Sequence, residues 1–171
     1  MELLYRSPSL CAKNDLLRYR REIIRTDNAF DGSAGLGNFR TIEEWLERLH
    51  GMEPPRAEKY GYFPTLVFLA YHETALCGLL NVRLSDAPLL RTHAGHIGYH
   101  VRPSMRRRGI ASAMLLHAAA LCKEHGITAP VVCTAENNLA SAKTALSCGF
   151  LPDGTAVLET GERICRFIYP F

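Results

Sequence analysis

The sequence predicts a single α/β domain. Apolar runs with strand character alternate with Ala- and Leu-rich runs at helical spacing. One strand-like run, His96–Val101, leads through a basic loop into a helix that begins at a glycine. The composition is also ordinary for a globular protein: 171 residues, 47% hydrophobic and 22% charged. A chain of this length buries roughly 70% of its unfolded surface, so one domain over residues 1–171 can hold its own core.

The elements follow in order. Glu2–Tyr5 reads as a short strand stopped by Pro8. Ser9–Thr26 reads as a helix, with Leu16, Tyr19 and Ile23 recurring at steps of three and four. A glycine-rich loop, Asp27–Phe39, follows. Thr41 opens the next helix, with Glu44 at capping-box spacing, and Gly51 closes it. Pro54 and Pro55 mark a second loop. Thr65–His72 and Ala75–Leu84 read as strands joined at Glu73-Thr74, and Ser85–Thr92 as a loop. His96–Val101 alternates, with Ile97, Tyr99 and Val101 on one face and His96 and His100 on the other. Gly109–His125 is the most regular helix, with a buried stripe of Ile110, Met114, His117/Ala118 and Leu121. Pro130–Thr134 is a short strand, Asn138–Cys148 a helix ended by Gly149, and Thr155–Thr160 with Arg163–Phe171 a closing hairpin.

Several function classes are excluded at this level. Twenty Lys and Arg against seventeen Asp and Glu give a net charge of only +3. Residues 1–50 hold eight acidic and eight basic side chains. Neither suits a dedicated nucleic-acid binder. No apolar run approaches the ~20 residues of a membrane span. The first residues lack a basic start followed by an apolar stretch, so no signal peptide is expected. The six cysteines are scattered, without C-x-x-C or zinc spacing. Reduced thiols, a cytoplasmic location and no metal are the expectations.

The run from His96 to Ala111 carries the chemistry. A helix start leaves four N–H groups without intrahelical partners, at the positive end of the helix dipole. Gly109 and Ala111 keep the approach open, and Arg106, Arg107 and Arg108 add donors for an anion. The reading is a phosphate or pyrophosphate site. Neither G-x-x-x-x-G-K-[ST] nor G-x-G-x-x-G is present, so a P-loop and a dinucleotide site are unsupported.

The run Arg106, Arg107, Arg108, Gly109, Ile110, Ala111 resembles the [R/Q]-x-x-G-x-[G/A] acyl-CoA signature of the GNAT superfamily of N-acetyltransferases. A second hallmark, N-x-x-[A/S] with G-F after it, is matched by Asn138, Ser141, Gly149 and Phe150. The resemblance covers residues 60–171 well and the N-terminal helices loosely. The Ala34–Phe39 stretch before E-E-W-L-E-R-L further resembles a poorly described bacterial branch of such enzymes. The resemblance implies the GNAT fold: a mixed central sheet splayed between His96–Val101 and Pro130–Thr134, flanked by about four helices. It implies acetyl-CoA as cofactor. The pantetheine arm would pair with backbone at Tyr99, His100 and Val101. The pyrophosphate would lie on Arg106, Arg107, Arg108, Gly109, Ile110, Ala111 and Ser112, and Asn138 and Ser141 would help hold the cofactor.

Acetylating an amine means removing a proton from nitrogen and expelling the thiolate of coenzyme A. His96 and His100 have an ordinary pKa near ~6.5 and share a strand face, so they are the base candidates. Many relatives place a thiolate-protonating Tyr seven residues after the motif Asn. Here that position is Ala145, so another group protonates the sulfur or the anion leaves unaided. Cys133 and Tyr169 read as packing residues beside the site, and Trp45 as an anchor of its helix. The acceptor is expected to be a small-molecule or peptide amine, with no nucleic-acid or membrane partner, in a monomer or homodimer. The alternative is a non-catalytic acyl-CoA-binding or sensor domain, which Ala145 favours.

Overall fold

The structure, a computed structural model, describes residues 2–171. Seven strands form one sheet in the order β1-β2-β3-β4-β5-β7-β6. They are β1 (Leu4–Arg6), β2 (Thr65–His72), β3 (Ala75–Arg83), β4 (Ile97–Val101), β5 (Val131–Ala135), β6 (Leu151–Val157) and β7 (Arg163–Ile168). All neighbours are antiparallel except β4 and β5, which run parallel. The helices are α1 (Lys13–Thr26), α2 (Ile42–Met52), α3 (Pro54–Ala57), α4 (Ile110–Glu124) and α5 (Leu139–Ser147). This is the splayed mixed α/β sheet that the sequence resemblance implied.

Each face of the sheet buries its own apolar cluster. On one face, Ile110, Met114, Ala118 and Cys122 of α4 and Ala145 of α5 pack on Leu80, Val82, Ile97, Val132 and Phe167. On the other, Leu16, Tyr19 and Ile23 of α1 and Trp45 and Leu49 of α2 pack on Leu69, Leu76 and Leu79. The period-two alternation of the strands divides these sets. The stripe of α4 is Ile110, Met114, Leu115, Ala118, Ala119 and Cys122. It differs from the expected one because His117 turns aside to stack on Tyr5, with ring centroids 3.9 Å apart.

The helix starts follow sequence rules. Thr41 Oγ1 accepts from the N–H of Glu44, and the Glu44 carboxylate accepts from the N–H of Thr41, so the capping box forms. The segment after Glu53 is not simply a loop: Pro54 and Pro55 occupy the first turn of α3, where proline suits a helix. The Ser85–Thr92 loop runs into one wide turn, Leu90–Ala94. The last hairpin begins at Leu151 rather than Thr155. β6 is an edge strand, and a bulge between Pro152 and Thr155 accommodates the proline there.

Candidate active site

The sheet opens between β4 and β5. Their register contains the single pair Ile97↔Val132, whereas β3 pairs with β4 over five residues. The junction is held by His96. Its N–H donates to Val131 O at 2.7 Å, and its ring Nδ1 accepts from the N–H of Val131 at 3.0 Å. Beyond Ile97 the strands part. Arg83 N donates to His96 O, and Arg102 N donates to Cys77 O. Strand alternation then turns the backbone groups of Gly98 and His100 toward β3 and those of Tyr99 and Val101 toward the gap.

The gap leads to the start of α4. Gly109, the residue before the helix, has φ +77°, and no side chain caps the first N–H groups. A Cβ at Gly109 would meet nothing within 4 Å. Arg107 also adopts a left-handed conformation, φ +62°. Arg106, before it, is extended, and the turn from left-handed Gly109 into helical Ile110 leaves the first N–H groups of α4 facing outward, an anion-binding arrangement. Arg107 and Arg108 are exposed and form no ion pair among the described residues. Arg106 is turned the other way. Its guanidinium pairs with Asp27, its Nε donates to Val101 O at 3.2 Å, and its Nη2 stands 3.5 Å from His100 Nε2. Against the effect of burial, Arg106 and the Ala29 N–H hold the Asp27 carboxyl below its usual pKa. Ile110 is buried, while Ala111 and Ser112 are half-buried in the first turn.

Across the gap, Asn138 caps α5 by accepting from the N–H of Ser141 at 3.1 Å. Ser141 Oγ lies 2.8 Å from Tyr99 Oη. Tyr99, Asn138 and Ser141 therefore make one tie between β4 and the start of α5. Tyr99 shares the α4 side with Ile97 and Val101, as its strand position implied.

The two histidines face the other side and differ in what their rings can do. His96 is fully buried. Nδ1 is an acceptor there, so in the neutral ring Nε2 carries the hydrogen; Nε2 makes no hydrogen bond and stands 3.8 Å from the Asp86 carboxylate. Its lone pair is already spent on the strand junction. His100 is 6% exposed and packs against Tyr19. Tyr19 Oη donates to His100 O at 3.0 Å and lies 2.6 Å from Nδ1. The phenol has one proton for these two acceptors; when it goes to the carbonyl, Nδ1–H donates to Oη and the ring lone pair is on Nε2. Arg106, a donor only, faces that nitrogen, consistent with the same tautomer. Burial pushes His100 down to a pKa of about 4, with the Arg106 charge adding to the shift; the Ala29 backbone, Asp27 and Asp31 pull the other way. The ring is neutral at neutral pH.

The Asp27–Phe39 loop roofs this face. Asn81 Nδ2 donates to Gly32 O at 2.9 Å, and Trp45 Nε1 donates to Ala34 O at 3.1 Å. Arg20 donates to the carbonyls of Phe39 and Arg40. Gly32 has φ +75°, and a Cβ there would lie 2.0 Å from Tyr99 O, so only glycine permits this contact. Ala145 is fully buried in the core. Burial pushes the Cys133 thiol up to about 11, so it is not a thiolate nucleophile. Tyr169 packs on Phe150 and Phe171. Sequence reasoning missed Tyr19, Gly32 and Asn81 as parts of the site. Tyr19 reads as an ordinary core residue in the helical pattern, and contacts spanning 81 residues leave no local signal.

This geometry suits group transfer: an extended gap opens toward an uncapped helix start, and a neutral imidazole lies on the adjoining face. More particularly, the chain belongs to the acetyltransferase (GNAT) family, whose model matches residues 38–150. Solved structures of similar fold include a ribosomal alpha-N-protein acetyltransferase in complex with coenzyme A, with TM-score 0.72 and 17% identity over 99% of this chain and 94% of that one. A microcin self-immunity acetyltransferase in complex with acetyl-CoA and AMP matches with TM-score 0.72 and 17% identity, over 99% and 93% of the two chains. A ribosomal-protein-alanine acetyltransferase from Vibrio fischeri gives 0.73 and 16%, over 99% and 93%. At these identities the likeness is one of fold. No curated protein matches the sequence. Among the described residues no helix is long and apolar enough to cross a membrane.

Proposed function

We propose that the chain, as one domain over residues 1–171, moves an acetyl group from acetyl-CoA to a primary amine of a small molecule or peptide by direct transfer. The observation that carries this reading is the β4–β5 gap running into an uncapped α4 start. The backbone of Tyr99 and Val101 turned toward the gap suits an amide-containing arm once Arg106 releases Val101 O, and the open space at Gly109 suits a pyrophosphate. Arg107 and Arg108 would add charge, Asn138 and Ser141 would fix the far wall, and Ala111 and Ser112 would contribute from the first turn of α4.

Acetyl-CoA supplies an activated acyl carbon and a sulfur leaving group. An incoming amine has an ordinary pKa near ~10.4 and must lose a proton. We assign that proton to His100 Nε2. It passes to the ring as the nitrogen–carbon bond forms and the carbon–sulfur bond breaks. The buried, closed arrangement keeps His100 a weak base. Two changes restore its basicity: opening of the Asp27–Phe39 loop, and a shift of Arg106 from Asp27 toward a bound phosphate. Both remove named causes of the low pKa. Ala145 offers no phenol for the sulfur. A thiol pKa of ~8.5 lets the thiolate leave as an anion and take its proton afterwards.

The test is calorimetry with acetyl-CoA, together with release of free thiol on adding amines. Binding that is lost in Gly109→Glu, with amine-dependent thiol release by the wild type, supports the reading. Unchanged binding in Gly109→Glu contradicts the phosphate site.

A further inference from the structure

The roofed face carries two arginines that the acetyl-transfer chemistry does not use. Arg83, at the end of β3, continues the alternation Leu79, Asn81, Arg83 on that face. It is half-buried and forms no ion pair among the described residues. Its Nη1 donates to the carbonyls of Ala94 and Gly95, at 3.3 and 3.0 Å. Arg166 lies opposite Cys133 in the β5–β7 register, on the same face. Its Nη2 donates to Asp153 O at 2.5 Å and stands 3.6 Å from the Asp153 carboxylate. Its Nε is buried without a partner. Both flank Cys133: Arg166 lies opposite it in the register, and Arg83 is bonded to Gly95, which packs against Cys133.

Around this junction three cations, Arg83, Arg91 and Arg166, face two carboxylates, with Asp86 paired to Arg91 and Asp153 beside Arg166. The unpaired Arg83 and the unsatisfied buried donor of Arg166 ask for an anion. The place is the end of the β4–β5 junction away from α4. Between it and His100 stands Asn81, 2% exposed, whose Oδ1 has no partner and faces Gly98. Oδ1 is an acceptor suited to an amine N–H. The Asn81 and Arg83 positions are two strand residues, or about 7 Å, apart.

Resting on the acetyltransferase reading, we infer that the acceptor is an amine that also carries a carboxylate several bonds away, as in a dipeptide. Its nitrogen lies by Asn81 and Gly98, and its carboxylate between Arg83 and Arg166. Lysine-like amines without an anion would lack the second contact.

The test compares glycylglycine with glycylglycinamide as acceptors for the full chain, by thiol release at saturating acetyl-CoA. Changing the distant carboxyl alters the amine's basicity little. The wild type is expected to use the acid at least tenfold better in kcat/KM. Arg83→Gln and Arg166→Gln should each remove most of that preference through KM of the acid, leave the amide unchanged, and keep acetyl-CoA affinity. Arg83→Lys should retain part of it. If Arg83→Gln does not fold, the acid–amide ratio and Arg166→Gln decide. Equal use of acid and amide overturns the inference. So does acetylation only of carboxylate-free amines, which leaves the acetyltransferase reading standing. No acetyl-CoA binding overturns the acetyltransferase reading and, with it, this inference.

Discussion

His100 is where one ring carries both a stability and a chemical consequence. Its native pKa of about 4 lies below the ordinary ~6.5, so between these values the unfolded chain binds more protons. Stability contributed by the neutral ring is therefore present above pH ~6.5 and lost as pH falls toward 4. The shift is worth on the order of 3 kcal/mol. Urea midpoints measured from pH 7 to pH 4 should fall more steeply for wild type than for His100→Gln. A parallel fall would contradict the burial of a neutral ring. In catalysis, His100→Gln should lower kcat by 10²- to 10⁴-fold, the usual worth of a general base, with acetyl-CoA affinity unchanged. His96 belongs to the strand junction instead. Replacing it by Ala strands the Val131 N–H and leaves a cavity, a loss of roughly 2–4 kcal/mol by denaturation. Ala145 is equally constrained. A tyrosine introduced there would enter a filled core, so Ala145→Tyr should cost about 1–3 kcal/mol and give no gain in rate.

At the scale of elements, the start of α4 and the glycine-rich loop respond differently to the same added methyl group. Gly109→Ala meets open space and costs only the left-handed backbone, about 1 kcal/mol. Gly109→Glu adds a negative charge at a proposed phosphate site and should weaken acetyl-CoA binding more than tenfold by calorimetry, with a similarly small loss of stability. Gly32→Ala collides with the Tyr99 carbonyl and must displace the loop. Hydrogen exchange should then report faster opening across Asp27–Phe39 while α4 keeps its protection. The helix patterns, the capping box at Thr41 and the α4 start were legible because they are local. The loop's path was not. Its seat depends on Asn81, Trp45 and Arg20, three elements that meet only in the folded chain.

At the scale of the whole molecule, the sheet is one structure with a seam. Alternation in β4 assigned Ile97, Tyr99 and Val101 to one core and the histidines to the other, and the two clusters follow that division. The seam itself was legible only through the family resemblance. Nothing in Val131–Ala135 alone tells that it meets β4 at a single pair. The sequence also could not separate the two histidines. Their difference lies in which ring nitrogen is already engaged, by Val131 in one case and Tyr19 in the other. The charge arrangement across the roofed face was hidden for the same reason, since Arg83 and Arg166 are 83 positions apart in the chain.

The most direct test of the central claim measures acetyl-CoA binding and amine-dependent thiol release side by side for wild type and His100→Gln. Equal binding by both proteins is expected, with release by His100→Gln slower by 10²- to 10⁴-fold. Equal rates of release would remove His100 from the chemistry, and the absence of binding would contradict the assignment of the β4–β5 gap and the α4 start.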